Sequence, residues 1–493
     1  YLFDTRDFTT DYTQTLFSAY ANGFLFEMPG GTAMGGIGVE WREDDIDSIP
    51  DDVARDGLFF GFFSDGGATG SKWTRELFGE IELPILAGRV GAEELTLNVS
   101  GRYTDDEFYG SDTTYSGKLG WRPIPSLLLR GTYGTSFRAP NVREVFLQDQ
   151  TGFLNVFDPC LIPEDALDPI TGGYVPELDN RDPVVLENCF RTGIDPTQFE
   201  NSGFNTYSTE IARGGTGELL AETSTSYTWG FAFEQPWFEG FDMTFGMTWY
   251  DIEIEDTIVE PSPQFLVNDC YNDPQFDSAF CDSITRDVDG FFDIINAKYI
   301  NRDEARNSGI DINANYDQNF NIGSQAVRLG VDLVINRNEE ASTTFVSDEG
   351  VPDFEDQHAN LYFPKWKGQL GLRANVEDFR FTWVVNYIGD TEQQEEYVDE
   401  WDNAITGASD TCYGPPGDVL CRDYADTDEY WLHSASVYWY LDTFTFGAGI
   451  RNVFDEEPPY VDATEYTAIN RVPLGAGYDL FGRVYFFNVV WRP

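Results

Sequence analysis

Period-two alternation of bulky apolar and polar side chains, sustained over runs of ten to twenty residues, constrains this chain more than any other feature. In Phe379-Arg380-Phe381-Thr382-Trp383-Val384-Val385-Asn386-Tyr387 every odd position is large and apolar. In Val327-Arg328-Leu329-Gly330-Val331-Asp332-Leu333 the odd positions are again apolar and the even ones polar or small. Successive side chains of a strand point to opposite faces, so each run presents one greasy and one wet surface.

Fifteen such runs can be read, near 12–27, 33–47, 71–85, 93–106, 113–123, 126–139, 217–235, 241–258, 294–318, 325–337, 364–376, 379–392, 429–441, 444–454 and 478–491. Tight turns alternate with long polar loops between them, as at Met28-Pro29-Gly30-Gly31, Pro123-Ile124-Pro125, Glu377-Asp378 and Asp442-Thr443. The reading is all-β: an antiparallel transmembrane barrel with short turns at the periplasmic rim and long loops outside. The longest loop, 147–215, would be anomalous inside a compact soluble domain and is ordinary on the outer rim of a barrel. No run of eighteen apolar residues occurs, which excludes helical membrane spans.

Fifteen strands that begin outside leave two unpaired edges, which lipid does not tolerate. The expectation is therefore an incomplete barrel, with seven strands supplied from elsewhere toward the 22 of plugged transporters. No signal peptide is evident before the strand-like opening at Tyr1, consistent with a mature, truncated or cleaved chain.

Formal charge is −56, from 86 acidic and 30 basic residues, which argues against nucleic-acid binding. The acids are interleaved with aromatics, which make up 16% of the chain, so they belong to solvated loops and a polar lumen and not to a disordered tail. Six cysteines fall two to a loop: Cys160 and Cys189, Cys270 and Cys281 (loop 261–285), Cys412 and Cys421 (loop 393–428). Sequential pairing is the simplest of about 15 connectivities, and closing loops of these lengths would contribute roughly 3–4 kcal/mol each. Zinc is the rival reading, but there is no CxxC and the histidines are His358 and His433 only. Disulfides imply an oxidising compartment.

Three segments carry a family resemblance. They are Gly131-Thr132-Tyr133-Gly134-Thr135-Ser136-Phe137-Arg138-Ala139-Pro140-Asn141-Val142-Arg143-Glu144, then Pro364-Lys365-Trp366-Lys367-Gly368, then Ile450-Arg451-Asn452-Val453-Phe454-Asp455-Glu456-Glu457-Pro458-Pro459 with Tyr478-Asp479 and Gly482-Arg483-Val484-Tyr485. In order and spacing the chain resembles the barrel of TonB-dependent outer-membrane receptors, with strands 8 to 22 represented. That resemblance implies an N-terminal plug and a short box engaging TonB, neither of which lies in this sequence; they are expected on a separate chain or fragment. It implies the outer membrane of a Gram-negative bacterium, with lipid and lipopolysaccharide as surroundings and the loops extracellular. Asp158-Pro159-Cys160 resembles a proteobacterial subgroup, some of whose members import carbohydrates.

Arg130, Arg138, Asp251, Glu253 and Glu255 are read as lumen-facing, and the carboxylates as lining and not as catalytic groups. Trp431, Trp439, Tyr485 and Trp491 fit aromatic girdles at the membrane interface. Phe153, Phe157, Tyr174, Tyr397 and Trp401 are the loop aromatics suited to contact a ligand, against the alternative of loop self-packing. No catalytic or metal-binding constellation is evident and no cofactor is expected, apart from structural calcium in the acidic stretches Glu164 to Asp195 and Asp390 to Asp402. The function expected is TonB-dependent import of a scarce nutrient, an iron–siderophore or an oligosaccharide. A non-transporting barrel used as scaffold or docking partner is the alternative, and a passive porin is disfavoured by strand count and loop length.

Overall fold

A computed structural model describes the chain except residues 1–4, 60–63, 149, 164–165, 169, 202–204, 347–351, 393–425, 462–467, 470–471 and 493. Its main element is one antiparallel sheet whose strands follow one another in chain order. They are β1 Phe8–Met28, β2 Gly31–Pro50, β3 Ala68–Arg89, β4 Ala92–Asp106, β5 Gly110–Ile124 and β6 Leu127–Arg138. Next come β7 Glu222–Glu234, β8 Phe241–Val259, β9 Ile300–Ile322, β10 Gln325–Val346 and β11 Trp366–Val376. The path ends with β12 Phe379–Ile388, β13 Tyr430–Tyr440, β14 Phe444–Arg451 and β15 Val484–Trp491. A short strand, Pro352–Asp356, adds to β10 off this path.

Each of the fifteen alternating runs overlaps one of these strands, because alternation survives only where both faces of a strand have distinct environments; the run near 294–318 takes in the end of a separate short strand, Phe292–Asn296, and the run near 478–491 is strand only from Val484. Cross-strand register aligns the runs into two surfaces. Leu86, Leu95, Trp121, Leu129, Phe231, Met247, Ile312 and Ile335 are successive register partners from β3 to β10. Leu329, Ala374, Phe381, Val437, Ala448 and Phe487 continue the same face from β10 to β15. The opposite face holds the row Arg130, Gly230, Thr248, Asp311, Asn336 and Lys367. An uninterrupted apolar face around fifteen strands, exposed at Val39, Leu77, Trp229 and Phe381 among others, is the surface lipid covers.

Aromatic contacts mark both borders of that face. Phe379 stacks on Trp439 at 5.8 Å near one set of short turns, and Trp121 donates its indole N–H to the Gly91 carbonyl of another. At the other border Tyr133 lies between Tyr115 and Tyr227, and Tyr387 meets Trp431 at 4.4 Å. Trp431, Trp439, Tyr485 and Trp491 all sit on this face, as girdle packing requires.

The edge strands β1 and β15 each have one neighbour among the described residues, and almost every side chain of both is exposed.

The loops between β6 and β7 and between β8 and β9 depart from the expectation of solvated connectors. They build one lobe with its own four-stranded sheet, ordered Ile284–Arg286, Phe292–Asn296, Thr206–Arg213, Gln150–Phe157, in which Phe292–Asn296 runs parallel to Thr206–Arg213. Helices Pro183–Arg191 and Pro263–Asn272 close it over a core that includes Val156, Ile211, Leu266, Val267, Tyr271, Phe292 and Ile295.

Candidate functional site

The lobe is held by covalent, ionic and apolar links that all join its two loops or close one of them. Cys160 is bonded to Cys189 and Cys270 to Cys281, the sequential pairing expected; Cys412 and Cys421 lie outside the described residues. Both bonds place their half-cystines in the shared core. Asn188, beside Cys189, donates its side-chain amide to the carbonyls of Tyr271 and Asp273 at 2.9 and 2.7 Å, tying one helix to the end of the other.

At the centre is a buried ion pair. Asp158 is fully buried and takes both Nη atoms of Arg286, at 2.6 and 2.8 Å. Its remaining acceptor capacity is filled by the Tyr207 hydroxyl at 2.9 Å and the Cys160 N–H at 3.0 Å. Arg286 also donates to the Tyr271 hydroxyl and the Gly290 carbonyl and stacks 4.1 Å above the Phe292 ring. Burial works against the charge on Arg286, and the Asp158 carboxylate outweighs it, so the guanidinium is held more firmly protonated than usual. Burial, with the Asp158 charge beside it, pushes the Tyr207 phenol up. Bidentate geometry and complete hydrogen bonding are the conditions under which a buried pair is tolerated. In the sequence Asp158 stands out only as part of Asp158-Pro159-Cys160, and no local spacing pairs it with Arg286, 128 residues further on.

Four other acids of the long loop serve the loop's own turns. Asp168 accepts from the N–H groups of Ile170 and Thr171, Asp182 caps the helix Pro183–Arg191, and Asp195 accepts from Thr197. Asp179 receives Arg181 from two nitrogens, and those hydrogen bonds hold its carboxyl down to about 2. No group of three or more potential metal ligands converges among the described residues.

The first and third resemblance segments fall at two corners, and the second, Pro364 to Gly368, opens β11. Arg138 reaches both oxygens of Glu144 at 3.0 Å and bonds Glu222, its register partner on β7. Asn141 and Glu144 form a capping box on the helix Val142–Phe146, starting the loop where β6 stops. Pro140 loses no hydrogen bond by lacking an N–H there, and its carbonyl accepts from Lys72, which is buried beside Asp106 at 3.0 Å. Phe137 and Ala139 are half-buried in the same corner. In the second corner Asn452 is fully buried and both donates to and accepts from the Glu456 backbone. Asp455 accepts the Arg483 N–H at 2.8 Å, Arg483 donates to the Val453 carbonyl, and Arg451 pairs with Asp479. Gly482 has φ +66°, and a Cβ there would lie 3.1 Å from Asp455. Phe454 packs its exposed ring against His433 at 4.9 Å, and Pro459 is half-buried in the following loop. These contacts therefore fasten loops to strands.

One assignment is corrected. Arg130, 2.7 Å from Thr248, and Arg138 share the polar face, but Asp251, Glu253 and Glu255 are register partners of Tyr227, Thr225 and Thr223 on the other. The reason is strand length. β8 has 19 residues, whereas about ten span a bilayer. Counted from Phe241, the apolar band ends near Trp249, and beyond it the same face is wet. There Asp251 pairs with Arg306 at 2.8 Å.

Of the loop aromatics, Phe153 and Phe157 stand partly exposed on the outer face of the lobe sheet, on either side of Asn155. Tyr174 is half-buried and donates its hydroxyl to Asp179 at 2.8 Å. Tyr397 and Trp401 lie outside the described residues.

Comparison with known proteins agrees with this geometry. The family model described as TonB dependent receptor-like, beta-barrel matches residues 1–453. The chain is 36% identical over 74 residues, 15% of its length and 11% of the relative's, to a vitamin B12 transporter of Vibrio cholerae. Among solved structures, the ferric enterobactin receptor of Pseudomonas aeruginosa matches with TM-score 0.57 and 12% identity, covering 97% of this chain and 54% of that one. The siderophore receptor PirA of Acinetobacter baumannii matches with TM-score 0.54, 13% identity and coverage of 97% and 55%. The Serratia marcescens hemophore receptor HasR matches with TM-score 0.54, 14% identity and coverage of 98% and 59%. The chain thus spans little more than half of these solved relatives, each of which carries its remaining length in the same polypeptide. A plug on a separate chain, as expected from the sequence, finds no support in that arrangement. By its match over most of its length, this chain belongs to the TonB-dependent receptor β-barrel family.

Proposed function

We propose that this chain forms most of the barrel wall and the outer loops of an outer-membrane importer energised through TonB, taking up a scarce nutrient of the iron–siderophore or oligosaccharide class. The observation that carries the reading is the pairing of a continuous apolar face with a polar face rich in ion pairs, among them Arg102–Glu76, Arg328–Asp317 and Arg373–Asp332. Phe153 and Phe157 are the ligand-facing aromatics in this reading, and the lobe faces the cell exterior. Plug and TonB box belong to sequence beyond these 493 residues.

The test is uptake in a strain lacking its own receptors, using the full receptor gene and a panel of labelled ferric siderophores, haem, cobalamin and maltodextrins. TonB-dependent accumulation of one ligand, reduced at least tenfold by F153A/F157A, is the expected result. Accumulation of none of them in cells that display the lobe would favour the scaffold reading, for which the disulfide-bonded lobe is a rigid enough surface.

A further inference from the structure

Lys118 and Arg130 break the charge pattern of the polar face. Arg42, Lys72, Arg102, Arg122 and Arg138 on that face each hold a carboxylate, of Asp44, Asp106, Glu76, Glu94 and Glu144 in turn. Lys118 and Arg130 hold none among the described residues, in a chain with 86 acids to 30 bases. Both stand exposed, Lys118 on β5 opposite Thr132 and Arg130 on β6 opposite Gly120. They are therefore diagonal neighbours, about 7–8 Å apart at the backbone, and two like charges so placed repel. Along their rows the next carboxylates on this face are Glu82 on β3 and Asp311 on β9. Strand spacing puts these about 10 and 14 Å away, at or beyond the screening length of about 8–10 Å. Asp311 already accepts the Asn336 amide at 2.8 Å.

Hydroxyls and glycines surround the two bases. Arg130 reaches across Gly230, its register partner on β7, to the Thr248 hydroxyl on β8 at 2.7 Å. That bond lays the guanidinium along the wall and leaves its other N–H donors open. Thr132 and Thr228 follow Lys118 in its row. Gly120 and Gly230 flank Arg130 in the other row, so no neighbouring side chain bars an approach to it there. A planar fork of donors, a rotatable ammonium beside it and hydroxyls around both are the groups that bind an oxyanion.

We infer that Lys118 and Arg130 form a subsite on the polar wall for an oxyanion, a carboxylate or a phosphate, carried by the transported ligand. The inference rests on the importer reading and narrows it, because an anionic iron chelate has such a group and a neutral oligosaccharide has none. Arg130 is the fourth residue of β6 above a short turn, whereas the lobe starts beyond the other end of that strand. The subsite is thus distinct from Phe153 and Phe157, and holds the ligand on the periplasmic side of the path after the outer loops release it.

The test is acetylation of Lys118 by a neutral N-hydroxysuccinimide ester in the full receptor, read by peptide mass spectrometry. Citrate, inorganic pyrophosphate, chloride at matched ionic strength and maltohexaose are compared as protectants. Citrate or pyrophosphate should slow the reaction at least threefold, and chloride and maltohexaose should not. R130Q should abolish that protection, T248V should weaken it, and R130K should keep part of it. Equal reactivity with all four protectants overturns the subsite. So does a Lys118 that stays unreactive whatever is added, which gives the pair to a carboxylate of the plug. A receptor that imports an anionic chelate without protection of Lys118 defeats the subsite alone. Protection in a receptor that imports nothing overturns the transit role together with the importer reading, and leaves an oxyanion site without cargo.

Discussion

Asp158 and Arg286 are 128 residues apart, and their bond is the point where the two loops of the lobe become one body. Removing one partner of a buried pair leaves the other charged and unsatisfied, at a cost of about 3–5 kcal/mol. Asp158→Asn should therefore open the lobe to limited proteolysis while the heat resistance of the barrel is kept. D158L/R286M, which removes both charges, should recover much of the loss; protease resistance in the single variant would contradict the role assigned to the pair. Asp179 makes a separate prediction by pH. Its carboxyl is held by Arg181 at about 2, below the ordinary value of 3.8, so the folded loop gains stability above that ordinary value and loses it as pH falls toward 2. Asp179→Asn should flatten the fall in loop protection between these limits, followed by hydrogen exchange of residues 176–200 at graded acidity. At Gly482 the left-handed φ and the nearby Asp455 oxygen together predict that Gly482→Ala costs about 1–2 kcal/mol, seen as faster exchange of β15 amides with β6 unaffected.

At the level of elements, the lobe behaves as a folded insertion. Its loops are closed over 29 and 11 residues by the two disulfides. Cys160→Ala/Cys189→Ala should lower lobe stability by about 2–5 kcal/mol, measured as loss of exchange protection in both loops, because Cys160 and Cys270 share one core. Loss confined to the first loop would mean that the two are independent. This lobe also marks where sequence reading ran out. Fifteen wall strands were legible because each is long, two-faced and paired with its neighbour in the chain. Ile284–Arg286 and Phe292–Asn296 have three and five residues, and the latter pairs in parallel with residues more than eighty positions earlier. Neither local periodicity nor turn chemistry can encode such a pairing. The half-cystine positions did point to loops under constraint, and nothing in them said that two loops share a core.

For the molecule as a whole, alternation gives two faces, and only register together with strand length says what each face meets. Asp251, Glu253 and Glu255 were legible as a wet row and were placed on the wrong side, because the outer face changes from lipid to water part-way up β8. The correction can be measured directly. Single cysteines replacing Leu129, Arg130, Asp251 and Glu253 are spin-labelled in the full receptor in bilayers, and collision with oxygen and with a nickel chelate is compared. Leu129 should report lipid, with oxygen collisions dominant. Asp251 and Glu253 should report water and should also react with a bulky impermeant maleimide that cannot enter the barrel. Arg130 should be protected from that reagent and show little oxygen contact. Should Asp251 instead behave like Arg130, the carboxylate row returns to the interior and with it a strongly anionic lumen. Placed outside, these acids leave a polar face on which Arg102, Arg328 and Arg373 each hold a carboxylate, so that face is less anionic than the net charge of −56 suggests.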